Sequence, residues 1–467
     1  MLHSLPAGSP CLGKHASIFK CRFISLPRAS KVVGQFLMRW LPRLLGDVVR
    51  ADRSRDLLRR ALGLFGLLLV AATWRLWAPQ QVYPQVPLVR GLDGLGPWFE
   101  WFAAAMMLVG LTGAMLAPRR LAPAALLTYA VATLLLVLVD QHRLQPWAYQ
   151  FMIVAMVLAL ADATIGILFL RLFVVSFYFH SALTKLDYSF LHTLGQQFLG
   201  ALAGIFGASL DSWSESARLA AAGALPGTEL LIALGLCWRP TRLVALAAAV
   251  MLHVMLLVVL GPWGLDHKPG VLVWNVYFIV QDVLLFGLST VTRWRHTCDN
   301  LSPIEVSSPR LSSGLICAVV LLPFLAPTAW FDIWPSWGLY APSAERVQLL
   351  VHRREAEQLP GELQSFVEAM PGGEDTWLVV RLDRWSLESL SAPIYPQNRY
   401  QLGVAEAVIA KYGLLHRARV FRFDLADRFT GEREYTRFDG LAEVIGSAGE
   451  YYLNSRPRQN LLPAVGE

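Results

Sequence analysis

Runs of about twenty apolar residues recur along the first two thirds of the chain, and such a run is long enough for a helix to cross a roughly 30 Å hydrocarbon core. A mean hydropathy of +0.44, with 55% hydrophobic and 16% charged residues among 467, excludes an ordinary water-soluble globule. We therefore predict a multi-pass membrane protein with about nine helices. The predicted spans are 57–78, 98–117, 121–139, 148–170, 172–187, 219–237, 242–262, 271–289 and 311–330.

The distribution of basic residues predicts the topology. The chain has a pI of about 9.2, and its Lys and Arg residues gather in the N-terminal arm and in alternate loops. The positive-inside rule then predicts a cytoplasmic N-terminus, in a cell membrane that would be the inner membrane of a bacterium. An odd number of helices predicts an extracytoplasmic C-terminus. Anionic lipid, rather than nucleic acid, is the expected contact of these charges. The loop charges used are Arg119, Arg120, Arg171, Arg239, Arg242, Arg293 and Arg295.

Composition divides the chain into four segments. Residues 1–54 form a basic cytoplasmic arm, unless Met38 is the true start, and residues 55–290 form the membrane domain. Residues 291–330 hold a cytoplasmic loop and the last span. From 331 to 467 the charge rises, which predicts a small extracytoplasmic α+β domain beside an all-α polytopic membrane bundle.

Local patterns predict the elements of the C-terminal domain. Alternating apolar and polar positions indicate strands at 375–385 and 418–424, whereas 403–412 and 441–445 are typical of short helices. Aromatic residues and prolines at 334–342 predict a belt at the outer interface. No catalytic motif of a known hydrolase or nucleotide enzyme is present, so this domain is interpreted as a lid or a partner-binding module.

The cysteines favour neither disulfides nor a metal site. They form no close pair, and none falls in a predicted outward loop or in the C-terminal domain. We predict no metal. The five residues are Cys11, Cys21, Cys237, Cys298 and Cys317.

Lys185 is the most informative polar residue, because a lysine within a span is costly unless it reaches the interface or serves a function. On a helix, residues three and four apart share a face, so six polar side chains of this span form two neighbouring stripes that suit a cavity wall. Counting from Leu172 places Lys185 roughly 20 Å into the membrane. Anchoring at the interface is the alternative. The stripes are Tyr178, Ser181, Lys185 and His180, Thr184, Asp187.

Other polar residues fall inside predicted spans. His253 lies near the middle of an apolar helix, where an imidazole serves either as a structural hydrogen-bonding group or in catalysis. Buried carboxylates are expected to pair, which makes Lys185 with Glu229 or Asp282 a candidate ion pair, functional or purely structural. Gln281 is predicted at a similar depth, and Asp162 lies deeper on the cytoplasmic side, in the fourth predicted span.

Two polar loops are predicted to cap a vestibule above Lys185. One is 140–147, and the other is 261–268 after the helix that carries His253. Their histidines lack the spacing of a metal site, so anchoring at the interface is the expected role. Residues 188–216 are predicted to be either an interfacial segment or a long outward loop.

The segment Tyr178–Asp187 (YFHSALTKLD) resembles the Lys-Leu-Asp helix of the HTTM family, bacterial membrane proteins similar to the vitamin K-dependent gamma-carboxylase. The loop at 140–147 followed by Tyr149, and the His253 helix followed by a Gly-Pro loop, stand in the order that this family has. The resemblance covers about residues 55–290.

The resemblance implies a role for Lys185. In the carboxylase the lysine before Leu-Asp is the base that activates vitamin K hydroquinone, and Lys185 stands in that place. Two features of the carboxylase are missing, because 144–147 replaces its Asn-Asn-His and a small domain replaces the large one that binds the substrate propeptide. What carries over is a membrane fold and a quinone-like pocket.

We therefore expect a membrane protein acting on a quinol or lipid-like substrate around Lys185. One alternative is a non-catalytic scaffold or carrier whose outward domain recruits a partner. Another is a redox component that resembles the DoxX and MauE bundles, although no outward cysteine supports it. The catalytic candidates are Lys185, His253 and Glu229, and the pocket candidates are Tyr178, His180, Ser181, Asp187 and Asp282.

Overall fold

The fold is a helical bundle with an antiparallel sheet near the C-terminus, seen in a computed structural model. The structure describes residues 51–79, 82–92, 94–287, 310–370 and 376–458. Residues 1–50 of the arm predicted at 1–54, the predicted loop around Arg293 and Arg295, and three of the five cysteines lie outside the described residues, whereas residues 51–54 begin the first helix.

Twelve helices, labelled α1 to α12, make up the described part of the chain before the sheet. Helix α11 continues into a π-helical turn at Val283–Gly287, and α12 continues into a 3₁₀ helix at Leu322–Thr328. The helices are α1 Ala51–Ala72, α2 Trp74–Trp77, α3 Pro97–Leu116, α4 Ala122–Val139, α5 Pro146–Leu160, α6 Ala163–Lys185, α7 Tyr188–His192, α8 Leu194–Ile205, α9 Glu215–Cys237, α10 Arg242–Leu260, α11 Pro269–Asp282 and α12 Arg310–Leu321.

Seven helices among the described residues are long and apolar enough to cross a membrane. They are α3, α4, α6, α9, α10, α11 with its π-helical turn, and Leu311–Thr328. The other two of the nine predicted spans correspond to α1 and α5, which are helical but are not among these seven. The first ten residues of α1 are rich in charge, and α5 has only 15 residues, which is short for a span.

The boundary predicted between the fourth and fifth spans is wrong. The chain leaves α5 at Leu160, and Asp162 caps the next helix by accepting a hydrogen bond from the Ile165 backbone N–H at 3.0 Å. Arg171, predicted as a loop charge, lies inside α6, is fully buried, and donates to the Leu285 carbonyl at 2.8 Å. A hydropathy window misses this break because apolar residues lie on both sides of one short polar turn.

The C-terminal part is a five-stranded antiparallel sheet with helices on it, as the predicted α+β architecture requires. The strand order is β2-β3-β1-β4-β5, and in the central strand Leu349 pairs with Val380 on one side and Val420 on the other. The elements are β1 Arg346–His352, β2 Val367–Ala369, β3 Trp377–Val380, α13 Leu382–Leu390, α14 Asn398–Lys411, β4 Ala418–Phe423, β5 Tyr435–Asp439 and α15 Leu441–Gly446, with single helical turns at Arg353–Ala356 and Gly361–Gln364.

Both predicted helices and the strand near 418–424 are confirmed, but the strand predicted at 375–385 is too long. It ends at Val380, and Leu382 starts α13. The apolar-polar alternation across 377–385 fits a strand, yet the second half also places Leu382, Trp385 and Ser386 on one buried helical face. Strands β1, β2 and β5 were not predicted.

The residues predicted as an outer aromatic belt pack inside the protein. Trp337 is fully buried, and its ring lies 4.7 Å from that of Phe177 and 5.4 Å from that of Phe173, both on α6. Its backbone has a φ of 63°, which is unfavourable for a residue with a side chain. The packing around the indole holds this conformation and ties the C-terminal domain to the bundle.

Glu100 is the second tie between the two parts. Its carboxylate, 1% exposed at the start of α3, accepts hydrogen bonds from Arg143 in the loop after α4 and, at 2.6 Å, from Arg458 near the end of the chain. Gln85 donates a further bond at 2.8 Å. Because both guanidinium groups are also buried, this carboxylate balances charges that come from the bundle and the C-terminal domain.

Glu100→Gln is expected to lower the free energy of unfolding by about 3–5 kcal/mol, since it leaves two buried guanidinium groups without their shared counter-charge. Thermal unfolding in mild detergent measures this. The matched control is Glu368→Gln, which removes a carboxylate from a half-exposed cluster with Arg381 and should change stability by about 1 kcal/mol or less. Equal effects of the two variants would contradict the role of Glu100 as a shared counter-charge.

Candidate functional site

A cavity lies between four long helices and is covered by α8. Helices α6, α9, α10 and α11 supply its walls, and Tyr340 closes the side that faces the C-terminal domain. Most of the lining is apolar, with polar groups confined to a few positions. A mostly apolar lining with a few convergent polar groups is typical of sites for small amphiphilic ligands.

Lys185 forms an ion pair at the wall of this cavity. Its Nζ donates to both carboxylate oxygens of Glu229, at 2.7 and 2.8 Å, and to Ser181 Oγ at 2.6 Å. Of the two partners predicted for Lys185, the structure thus selects Glu229. Lys185 is the last residue of α6, and counting from Ala163 places it roughly 33 Å along that helix, farther than the predicted 20 Å.

His253 stands at the centre of a second polar group. Its Nε2 lies 2.8 Å from the hydroxyl of Tyr178, and its Nδ1 lies 2.8 Å from the amide oxygen of Asn275. The Tyr178 hydroxyl also lies 2.6 Å from Asp282 Oδ2. Phe278 stacks on the imidazole with ring centroids 4.7 Å apart. Asp282 is fully buried behind Tyr178 and reaches the cavity only through it.

The two polar stripes of α6 line two different cavities. Tyr178, Ser181 and Lys185 face the cavity described above, whereas His180, Thr184 and Asp187 face another cavity, between the bundle and the C-terminal domain. Side chains on neighbouring stripes of one helix point in different directions around its axis, so the two stripes contact different parts of the protein.

The structure therefore does not bring His180 and Asp187 to the cavity that Lys185 lines. His180 Nε2 lies 3.1 Å from the carbonyl oxygen of Val320. Asp187 caps α7 through the Phe190 N–H at 2.7 Å and accepts a bond from Ser343 at 2.6 Å. Both side chains are engaged in holding α6 to neighbouring segments.

The predicted vestibule is only half right. The loop at 140–147 is covered by the C-terminal domain, where His142 Nε2 lies 2.9 Å from the Pro393 carbonyl oxygen, and it does not line the cavity. Burial lowers the pKa of His142 to about 4 and raises that of Asp140 to about 7. The other loop reaches the rim, since His267 lies 3.5 Å from the hydroxyl of Tyr340.

Several cavity residues were not predicted. Asn275 and Trp274 lie on α11, and the polar amide of Asn275 inside the predicted apolar span 271–289 was an available signal. Helix α8 covers the cavity with Phe198 and Leu202, in the segment left open as an interfacial helix or a loop. Its strongly one-sided apolar pattern was the available signal.

The polar groups of the site offer acid-base and ion-pair chemistry. No group of three or more His, Cys, Asp or Glu side chains that could hold a metal ion occurs among the described residues. Comparisons with protein-family models, curated proteins and solved structures find no match to this chain. The site is accordingly interpreted from its own geometry.

Glu229→Gln is expected to destabilise the protein by about 3–5 kcal/mol, because it removes the counter-ion of Lys185 from an apolar wall. The double variant Lys185→Met with Glu229→Met should recover most of this loss, since it removes both charges at similar volume. Thermal unfolding in detergent compares the two.

The exposed pair of Lys268 and Glu388, 2.8 Å apart, is the control. Glu388→Gln should change stability by about 1 kcal/mol or less. A double variant less stable than Glu229→Gln would show that the charges of Lys185 and Glu229 do not balance each other.

Proposed function

We propose that this protein binds an amphiphilic quinol- or lipid-like molecule in the cavity around Lys185, within a multi-pass bundle whose C-terminal domain is extracytoplasmic in a cell membrane. The observation that carries the proposal is the joining of one largely apolar cavity to two polar groups, the Lys185–Glu229 pair and His253 with Tyr178. An apolar tail fits the lining, and a polar head fits the end where these groups meet.

The aromatic residues of the lining support a ring-shaped head. Trp274, Phe278 and Phe177 form a continuous group with ring centroids 4.6 to 6.4 Å apart, and all three line the cavity. Aromatic faces stack on flat rings in offset or edge-to-face arrangements. A quinol head satisfies both this surface and the adjacent hydrogen-bonding groups.

The role of Lys185 as a base has a structural condition. Its three ammonium hydrogens already have three acceptors, on Ser181 and on both oxygens of Glu229. A lysine in this state first has to pass a proton to Glu229 before its amine can accept one. Glu229 is therefore proposed as the terminal proton acceptor of the pair. The helix that resembles the HTTM family positions Lys185 beside it.

The same saturation favours a second candidate function. The Lys185–Glu229 pair joins α6 to α9, and all three ammonium hydrogens of Lys185 are hydrogen-bonded within the protein. A non-catalytic scaffold or carrier would need the same kind of structural contact. In that case the cavity holds structural lipid, and the C-terminal domain carries the activity by recruiting a partner. A substitution that fills the cavity distinguishes the two functions, because it should weaken ligand binding only if the cavity is the ligand site.

Mass spectrometry of the protein purified in mild detergent is expected to find a bound quinone or lipid, and a decyl-tailed ubiquinone analogue to quench tryptophan fluorescence through Trp274. Leu202→Trp should weaken this binding roughly fivefold or more by filling the cavity. Lys185→Met with Glu229→Met should weaken it roughly tenfold by removing the polar contacts to the head.

Leu183→Trp is the matched control, because Leu183 is partly buried like Leu202 but lines the other cavity. It should leave binding unchanged. Unchanged binding in Leu202→Trp and in the double variant would overturn the ligand site and favour the scaffold.

A further inference from the structure

The amide of Asn275 determines which nitrogen of His253 carries a hydrogen. Asn275 Nδ2 donates to the carbonyl oxygen of Val271 at 2.8 Å, and a carbonyl only accepts, so the reverse amide orientation would set two oxygens against each other. The amide oxygen of Asn275 therefore faces His253 Nδ1 and accepts a hydrogen from it. His253 Nδ1 is protonated whatever the charge of the ring.

The hydroxyl of Tyr178 has one hydrogen and two partners, Asp282 Oδ2 at 2.6 Å and His253 Nε2 at 2.8 Å. If it donates to an ionised Asp282, then Nε2 must carry a second hydrogen and the ring is an imidazolium. If it donates to a neutral imidazole, then Asp282 must be a carboxylic acid that donates to the tyrosine. In both cases the three residues hold one proton more than a carboxylate and a neutral imidazole would.

The surroundings allow both states and favour the neutral one at rest. Asp282 is fully buried, and its Oδ1 has no hydrogen-bond partner among the described residues, which disfavours a carboxylate. The face of Phe278 against His253 stabilises an imidazolium when one forms. The other titratable groups facing these residues are Lys185, Glu229 and Tyr277.

We propose that Asp282, Tyr178 and His253 form a proton relay that produces an imidazolium at the cavity wall when an acidic hydroxyl compound binds. The O–H bond of Asp282 breaks and its hydrogen passes to the oxygen of Tyr178. The original O–H bond of Tyr178 breaks and that hydrogen passes to His253 Nε2. No proton leaves the trio, and one positive and one negative charge result.

This relay, which rests on the proposed ligand site, specifies the class of ligand. A phenol or quinol hydroxyl that gives its proton to a carboxylate oxygen of Glu229 becomes an anion between two cations, the Lys185 ammonium and the His253 imidazolium. The charges balance, because Glu229 becomes neutral while Asp282 becomes negative. A lipid without an acidic hydroxyl gains nothing from the relay.

Infrared spectroscopy tests the extra proton without any ligand. The wild type should have a carbonyl band of a buried carboxylic acid at neutral pH that is lost in Asp282→Asn. The band should remain in Glu406→Gln, which removes another buried carboxyl whose pKa burial raises to about 7. If the band is absent, ¹⁵N NMR should find an imidazolium at His253. An ionised Asp282 together with a neutral His253 overturns the relay.

Binding of a decyl-tailed phenol and of its O-methyl ether tests the ligand class. The wild type should prefer the phenol roughly tenfold or more, because only the phenol gains charge-assisted contacts. Tyr178→Phe should abolish the preference while the ether still binds, and Tyr129→Phe, a buried tyrosine away from the cavity, should keep it.

The results separate the two proposals. An undiminished preference for the phenol in Tyr178→Phe overturns the relay but supports the ligand site. Failure of both probes to bind the wild type overturns the ligand site together with the phenol or quinol class of ligand, whereas the infrared result decides the extra proton independently.

Discussion

Glu100 holds two guanidinium groups that approach it from opposite parts of the protein, Arg143 from the bundle and Arg458 from the end of the described chain. A buried cation without a partner is strongly destabilising, so Arg458 can be buried only where the bundle supplies the carboxylate of Glu100. The bundle and the C-terminal domain therefore form one structure with a continuous hydrophobic core. Trp337, inserted against α6, extends this union to the helix that carries the cavity residues.

The same requirement organises the cavity. Lys185 is matched by Glu229 and Ser181, and the hydroxyl of Tyr178 is shared between His253 and Asp282. Interactions between charged groups are stronger in such a low-dielectric environment, and an unpaired group is correspondingly costly. A ligand that enters this cavity has to exchange one of these bonds for its own. Under the proposed function, the polar groups would select for ligands with an acidic or hydrogen-bonding head.

Much of this could be predicted from composition and periodicity. Long apolar runs predicted the membrane helices, and the helical spacing of Tyr178, Ser181 and Lys185 placed them on one cavity wall. The errors occurred where local pattern and packing disagree. Asp162 starts a new helix within a continuous apolar stretch, and His180 shares a helix with Lys185 but faces another cavity. A one-dimensional pattern gives the face of a helix but not the neighbour that this face meets.

Sequence by itself determined that this chain forms apolar helices followed by a charged α+β region, because helix length, hydropathy and alternation are local properties. It also identified Lys185, His253, Glu229 and Asp282 as costly polar residues that need partners. Only the tertiary structure decided which partner each one takes: Glu229 for Lys185, and Tyr178 for both His253 and Asp282. Hydrogen bonds act over about 3 Å, and only the packing of helices brings residues far apart in sequence within that distance.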